Sequence, residues 1–316
     1  EAIRDVTPTV EELVERARDA IAAELPDVPV GAHCSKPFDC PFINHCWPTS
    51  AEYPVSGLGG GRASLAEFVA AGYEDIRDVP ATRIENETRQ RIHRVTTAGE
   101  PEILDGARDV LSSLAYPRYY LDFETIAPAV PIWPDTRPYA ITPVQWSCHI
   151  DDGNGHGALD SMRHEEFLDL SGKPPMRALA EALLACLSDT GPVLTYTSYE
   201  ATVIRGLAER FPDLADRLNE VLDRLFDLHP VVKEHYYHPR MLGSWSIKAV
   251  LPTIDPALDY AKLDGIQEGT AASGGFLEAI APSTDSKRKH ELDEQLRRYC
   301  SFDTEAMVAL VNFFTR

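Results

Sequence analysis

The apolar positions of this chain change their period near residue 116. Before it, stretches such as TVEELVERARDAIAAEL and SLAEFVAAGYEDIRDVP space apolar residues three and four apart, the stripe of a helix. Thr9 with Glu12, and Ser64 with Glu67, fit the capping-box spacing, and Gly72 reads as a helix stop. Two further helices are expected near residues 82–97 and 101–114. Between the first two lies PDVPVGAHCSKPFDCPFINHCWPTSAEYP, which keeps no period and reads as an irregular loop. GLGGGR at Gly57–Arg62 reads as a flexible joint, without the strand-then-helix setting of a phosphate loop.

Beyond Tyr116–Pro117 the pattern alternates between apolar runs and helical stripes. Strands are expected at Arg118–Glu124, Val144–Ile150, weakly near Gly157–Met162, at Val193–Tyr196 and ending near Asp227. Helices are expected at Pro174–Leu187, Tyr199–Phe211, Leu214–Leu225, Ser246–Val250, Gln267–Ile280 and Leu292–Phe313. Three early strands joined by short turns predict an antiparallel meander, and later strands separated by helices predict parallel additions. The expected fold is therefore α/β: a mixed sheet flanked by helices, preceded by a small helical, cysteine-containing region. The expected divisions are residues 1–56, 57–116 and 117–316.

Composition narrows the setting. No apolar run is long enough to span a bilayer, and the start shows no secretory pattern, so a cytoplasmic protein with reduced thiols is expected. The first residue is Glu1, so a trimmed, processed or fragmentary chain is expected. The net charge of −20 argues against broad, non-specific duplex binding. It leaves room for a polyanion bound through bridging metal ions and a few local cations.

Two acids interrupt the apolar run YYLDFETI. Asp122 and Glu124 are two residues apart, so on a strand they share a face, while Phe123 points to the core. Such a pair repels unless cations meet it, and paired divalent ions are a common solution in phosphoryl-transfer sites. A strand end that has reached solvent would show the same pair. Glu200 opens a helix after PVLTYTS, where it serves either the site or the helix dipole. Tyr299 and Asp303 are four apart on the long helix LRRYCSFDTEAMVALVNFF and share one face.

LDFET, YTSYEATVIRGL and YCSFDTEAMV, in this order, resemble the three motifs of the DEDD exonucleases of the RNase H-like superfamily. The Tyr-x-x-x-Asp form of the third resembles the tyrosine subclass. The resemblance covers residues 119–314 and implies an RNase H-like sheet. It implies a 3′-5′ exonuclease in which Asp122, Glu124, Glu200 and Asp303 hold two Mg²⁺ or Mn²⁺ ions. Tyr299 would orient the attacking water. The second motif departs from the pattern: Glu200 replaces Asp, the nearby Asn is missing, and Asp227 is a spare acid at the next strand end. GSWSIK is similar to a stretch in a bacterial group of this superfamily. There Ser246 would cap a short helix and Lys248 would reach a substrate phosphate; a surface lysine would look the same. In that group the module follows a RecB-like nuclease region with a cysteine cluster, which the start of this chain resembles.

Cys34, Cys40 and Cys46 are spaced C-x5-C-x5-C beside His33 and His45. Zinc, an iron–sulfur cluster with a fourth ligand from elsewhere, or a loop packed by thiols would each suit that spacing. Cys148, Cys186 and Cys300 are expected in the core. The expected function is metal-dependent hydrolysis of a DNA or RNA phosphodiester. The alternatives are an endonuclease on the same fold and a nuclease-like scaffold that docks a partner nuclease.

Overall fold

The run RYYLDFETI is the central strand of the sheet, and its two acids decide how everything around it is arranged. The computed structural model describes residues 2–24, 28–36, 38–155 and 157–316. It divides into two compact units, one up to Thr97 and one from Ala98.

In the second unit a two-residue strand, β1 (Glu102–Ile103), comes first. The main sheet is built from β2 (Arg118–Ile126), β3 (Thr142–Asp151), β4 (Arg163–Leu168), β5 (Val193–Thr195) and β6 (Leu225–Asp227). A last short strand, β7 (Tyr236–Tyr237), pairs antiparallel with β1. The sheet order is β4-β3-β2-β5-β6. β2, β3 and β4 pair antiparallel, whereas β5 and β6 are added parallel. The meander with parallel additions expected from the apolar pattern is the observed topology. Every residue of β3 is buried, as befits a strand covered on both faces. In β2 the alternation is kept: Leu121 and Phe123 enter the core, while Asp122 and Glu124 are only partly buried on the other face. The β2–β3 register shifts between Glu124 and Thr125, so the ladder is bulged beside the acids.

Helix Met176–Cys186 packs on β3 and β4, and helix Tyr199–Arg210 follows β5. Helix Ser286–Thr315 lies across β2 and β3. It begins two turns before the expected Leu292, because Asp285 accepts the backbone N–H groups of Lys287 and Arg288 and caps a polar first turn that carries no apolar stripe.

Several expected elements differ. Residues 157–162 form a turn and a short 3₁₀ segment, and the strand starts at Arg163. β4 is an edge strand with an exposed face, so its polar RHEEFL hides the alternation. Helix Leu228–His235 was not expected; it is short and has Pro230 in its first turn. Residues 101–114 hold β1 and the helix Gly106–Ser112 rather than one long helix.

The first unit is arranged differently from its sequence reading. Its first helix runs Ala2–Ala22, so Thr9 lies inside it rather than at its start. The third starts at Arg62, so Ser64 lies inside too and bonds the carbonyl of Gly61. Gly57–Arg62 is no open joint: Val55, Gly57 and Leu58 are buried, and the Arg89 guanidinium binds the carbonyl of Gly59. Arg62 lies over the ring of Trp47, and Asp75 accepts the backbone N–H of Tyr53. Residues on both sides of position 56 therefore share one packing unit. No described helix is long and apolar enough to cross a membrane.

Candidate metal centre

Three elements carry the acids. β2 carries Asp122 and Glu124 on one face, the turn after β5 starts the helix that carries Glu200, and helix Ser286–Thr315 presents Tyr299, Cys300 and Asp303 within little more than a turn. Donor atoms of Asp122, Glu124 and Cys300 all lie within 4.8 Å of one another, the one such group of three among the described residues. The Cys300 thiol sits 3.8 Å from Asp122 Oδ2. Cys300 is buried as expected, yet it faces the acids rather than an apolar layer.

Asp303 and Glu200 stand outside that tight group, but their charges reach it. Burial, then the charges of Asp303, Glu124 and Glu200, push the Asp122 carboxyl well above its ordinary range. Burial and Asp303 do the same to Glu124, with Lys248 pulling the other way. Burial lifts Asp303 to about 6, against a hydrogen bond from Tyr260 and the charge of Lys248. Burial, with Asp227 and Asp303 adding, lifts Glu200 to about 8. Glu200 is only 3% exposed, and its Oε2 has no hydrogen-bond partner. A buried, unpaired carboxylate oxygen is costly and calls for a cation or a proton.

Lys248 is the cation of this pocket. Its Nζ donates to Tyr299 Oη at 3.0 Å and to the carbonyl of Gln267 at 3.1 Å, and lies 4.8 Å from the Tyr260 ring centroid. Ser246 stands at the N-cap of helix Ile247–Ile254, but its hydroxyl makes no capping bond and pairs instead with Ser244. Tyr299 is buried; burial and the nearby Asp303, Glu124 and Asp122 raise its hydroxyl above its ordinary value. Tyr260 belongs to the same pocket and was not anticipated. Its hydroxyl donates to Asp303 Oδ1 at 2.5 Å. It follows Asp259, which caps a 3₁₀ turn, and nothing in the local pattern marks it as a site residue.

Asp227, the spare acid of the sequence, also has a structural part. Its Oδ1 caps helix Leu228–His235 by accepting from His229 N, and it accepts from Thr197 N as well, both at 2.9 Å. Thr197 has φ of +98°, a strained conformation for a β-branched residue. The Asp227 carboxylate thus fixes the bend that begins the Glu200 helix.

The cysteines of the first unit are not gathered around a point that a single ion could share. Cys34 is buried, Cys40 partly buried and Cys46 exposed, and their sulfurs do not form a group within 4.8 Å. The Gly31 N–H points to Cys34 Sγ at 3.5 Å, and Cys40 N binds the Cys34 carbonyl.

Residues 119–246 match a family described as "Domain of unknown function (DUF2779)". That span includes Asp122, Glu124, Glu200 and Asp227 and stops short of Lys248, Tyr299 and Asp303. Two curated proteins are similar. The uncharacterised MG366 homolog of Mycoplasma pneumoniae is 24% identical over 221 residues, 65% of this chain and 33% of that protein. Uncharacterised protein UU173 of Ureaplasma parvum is 24% identical over 241 residues, 68% of this chain and 34% of that protein. The chain spans about a third of the length of these relatives. No solved structure matches.

Proposed function

We propose that the second unit is an RNase H-like, metal-dependent nuclease that hydrolyses phosphodiester bonds from a 3′ end of DNA or RNA. The observation that carries this reading is the unpartnered, buried Oε2 of Glu200 in a pocket of acids that raise one another's affinity for positive charge. The donor set fits hard divalent ions, because carboxylate oxygens are the ligands Mg²⁺ and Mn²⁺ favour. Asp122, Glu124, Glu200 and Asp303 would hold them. Such ions supply an acidified water and neutralise charge on a phosphate.

The chain's own residues supply the rest. Tyr260 holds Asp303 by one oxygen, leaving the other to the pocket. Lys248 donates to the oxygen of Tyr299, so the phenol proton is directed elsewhere and can orient a water or a phosphate oxygen. Lys248 is therefore read as setting Tyr299 and balancing Glu124 and Asp303, in addition to any contact with substrate. A metal or cluster at Cys34, Cys40 and Cys46 remains a separate proposal. A single ion there requires the sulfurs to move together, and either group requires at least one ligand from elsewhere.

The test is digestion of a 5′-labelled single strand by the purified chain with Mn²⁺, in parallel with a strand blocked at its 3′ end. Stepwise shortening of the free strand only, abolished by EDTA and by Asp122→Asn, is expected. Tyr299→Phe should lower kcat by on the order of a hundredfold with KM little changed. Equal cleavage of the blocked strand would move the reading to an endonuclease. No metal-dependent cleavage of any strand would favour a docking scaffold.

A further inference from the structure

Cys300 is the unexpected member of the acidic pocket. It is fully buried, and its thiol lies 3.8 Å from Asp122 Oδ2 and 3.9 Å from the Asp122 carbonyl. It shares a helical face with Asp303, three residues on. Its sulfur, an Asp122 oxygen and a Glu124 oxygen lie mutually within 4.8 Å, so one ion could touch all three. Glu200, whose Oε2 is buried and has no partner, is near enough for its charge to act on Asp122. A buried donor with nothing to bind is an independent sign that the pocket takes a cation.

We propose that Asp122, Glu124 and Cys300 form a mixed oxygen–sulfur site that selects a thiophilic divalent ion, of the Fe²⁺, Zn²⁺ or Cd²⁺ class, over Mg²⁺. This rests on reading the acidic pocket as a divalent-ion site. Carboxylates alone accept hard ions such as Mg²⁺ and Ca²⁺ readily, whereas a thiolate favours softer ones. Coordination releases the thiol proton to solvent and leaves the sulfur as a thiolate ligand. The acids then provide charge and the sulfur provides choice, so Cys300 sets specificity without being needed for every ion to bind.

Competition against Mn²⁺ tests this on the full chain, with the electron paramagnetic resonance signal of free Mn²⁺ as the readout. Mn²⁺ reports the acidic pocket, because the thiols of Cys34, Cys40 and Cys46 are poor ligands for it. Cd²⁺ and Ca²⁺ are the competitors: similar in size, one soft and one hard. In the wild-type chain Cd²⁺ should displace Mn²⁺ at far lower concentration than Ca²⁺ does. In Cys300→Ser that advantage should shrink by about tenfold or more, the scale of losing one supporting group at a metal site, while Mn²⁺ binding persists. A wild-type chain in which Cd²⁺ and Ca²⁺ compete alike overturns the proposal even if the variant does not fold. Mn²⁺ binding with the same Cd²⁺ advantage in wild type and Cys300→Ser overturns it as well. A wild-type chain that binds no Mn²⁺ overturns the underlying divalent-ion reading instead.

Discussion

At the scale of single residues, Glu200 is the most consequential. Its carboxyl is lifted from 4.5 to about 8, chiefly by burial. In the folded chain without metal it therefore keeps a proton that the unfolded chain gives up. Its contribution to stability is highest below its unfolded pKa and drains as pH rises through the window from 4.5 to about 8. Glu200→Gln keeps the shape and removes the charge. In EDTA the melting temperature of Glu200→Gln should exceed that of wild type increasingly as pH rises through that window, and added Mn²⁺ should close the gap. A gap that stays flat with pH would sink the buried-charge account. Asp122, Glu124 and Asp303 could be singled out from the sequence, since acids at a strand end and on one helical face stand against an apolar background. Tyr260 and the facing of Cys300 could not, because a tyrosine in a turn and a cysteine on a buried helix are ordinary core residues until the tertiary contact is known.

Among the elements, the bend between β5 and helix Tyr199–Arg210 depends on Asp227 across the sheet edge. Two backbone N–H groups end on one carboxylate oxygen, one of them from a residue at positive φ. Asp227→Ala should cost about 1–2 kcal/mol, the scale of a lost helix cap, and weaken Mn²⁺ binding by loosening Glu200. Asp227→Asn caps as well as Asp and should leave stability and Mn²⁺ affinity near wild type. Thermal melting and Mn²⁺ titration of both variants separate the two roles: an Asn variant that is stable but fails to bind Mn²⁺ would make Asp227 a ligand. β2, β3 and the late helices were legible because buried strands read as apolar runs and long helices show their stripe. β4 and helix Leu228–His235 were not, one being a polar edge and the other too short to show a period.

For the molecule as a whole, the contacts part at Thr97 and Ala98 rather than near Tyr116–Pro117. The apolar period changes at the later point, but β1 pairs with β7 and helix Gly106–Ser112 buries Ala107 and Leu111 among later elements. A chain of residues 98–316 should melt cooperatively by calorimetry and keep its Mn²⁺ site. One starting at residue 117 should melt lower and more broadly, and identical melts would show the earlier segment to be dispensable. The long helix Ser286–Thr315 constrains the chain's history in another way. Tyr299, Cys300 and Asp303 are carried on one rigid rod, so they move together. Inserting or deleting a single residue between the helix's packed Leu292 and Tyr299 turns all three by about 100° about the helix axis. Each can be exchanged by substitution, but changes of length there remove all three from the pocket at once, so this stretch can diverge in letters while its length stays frozen.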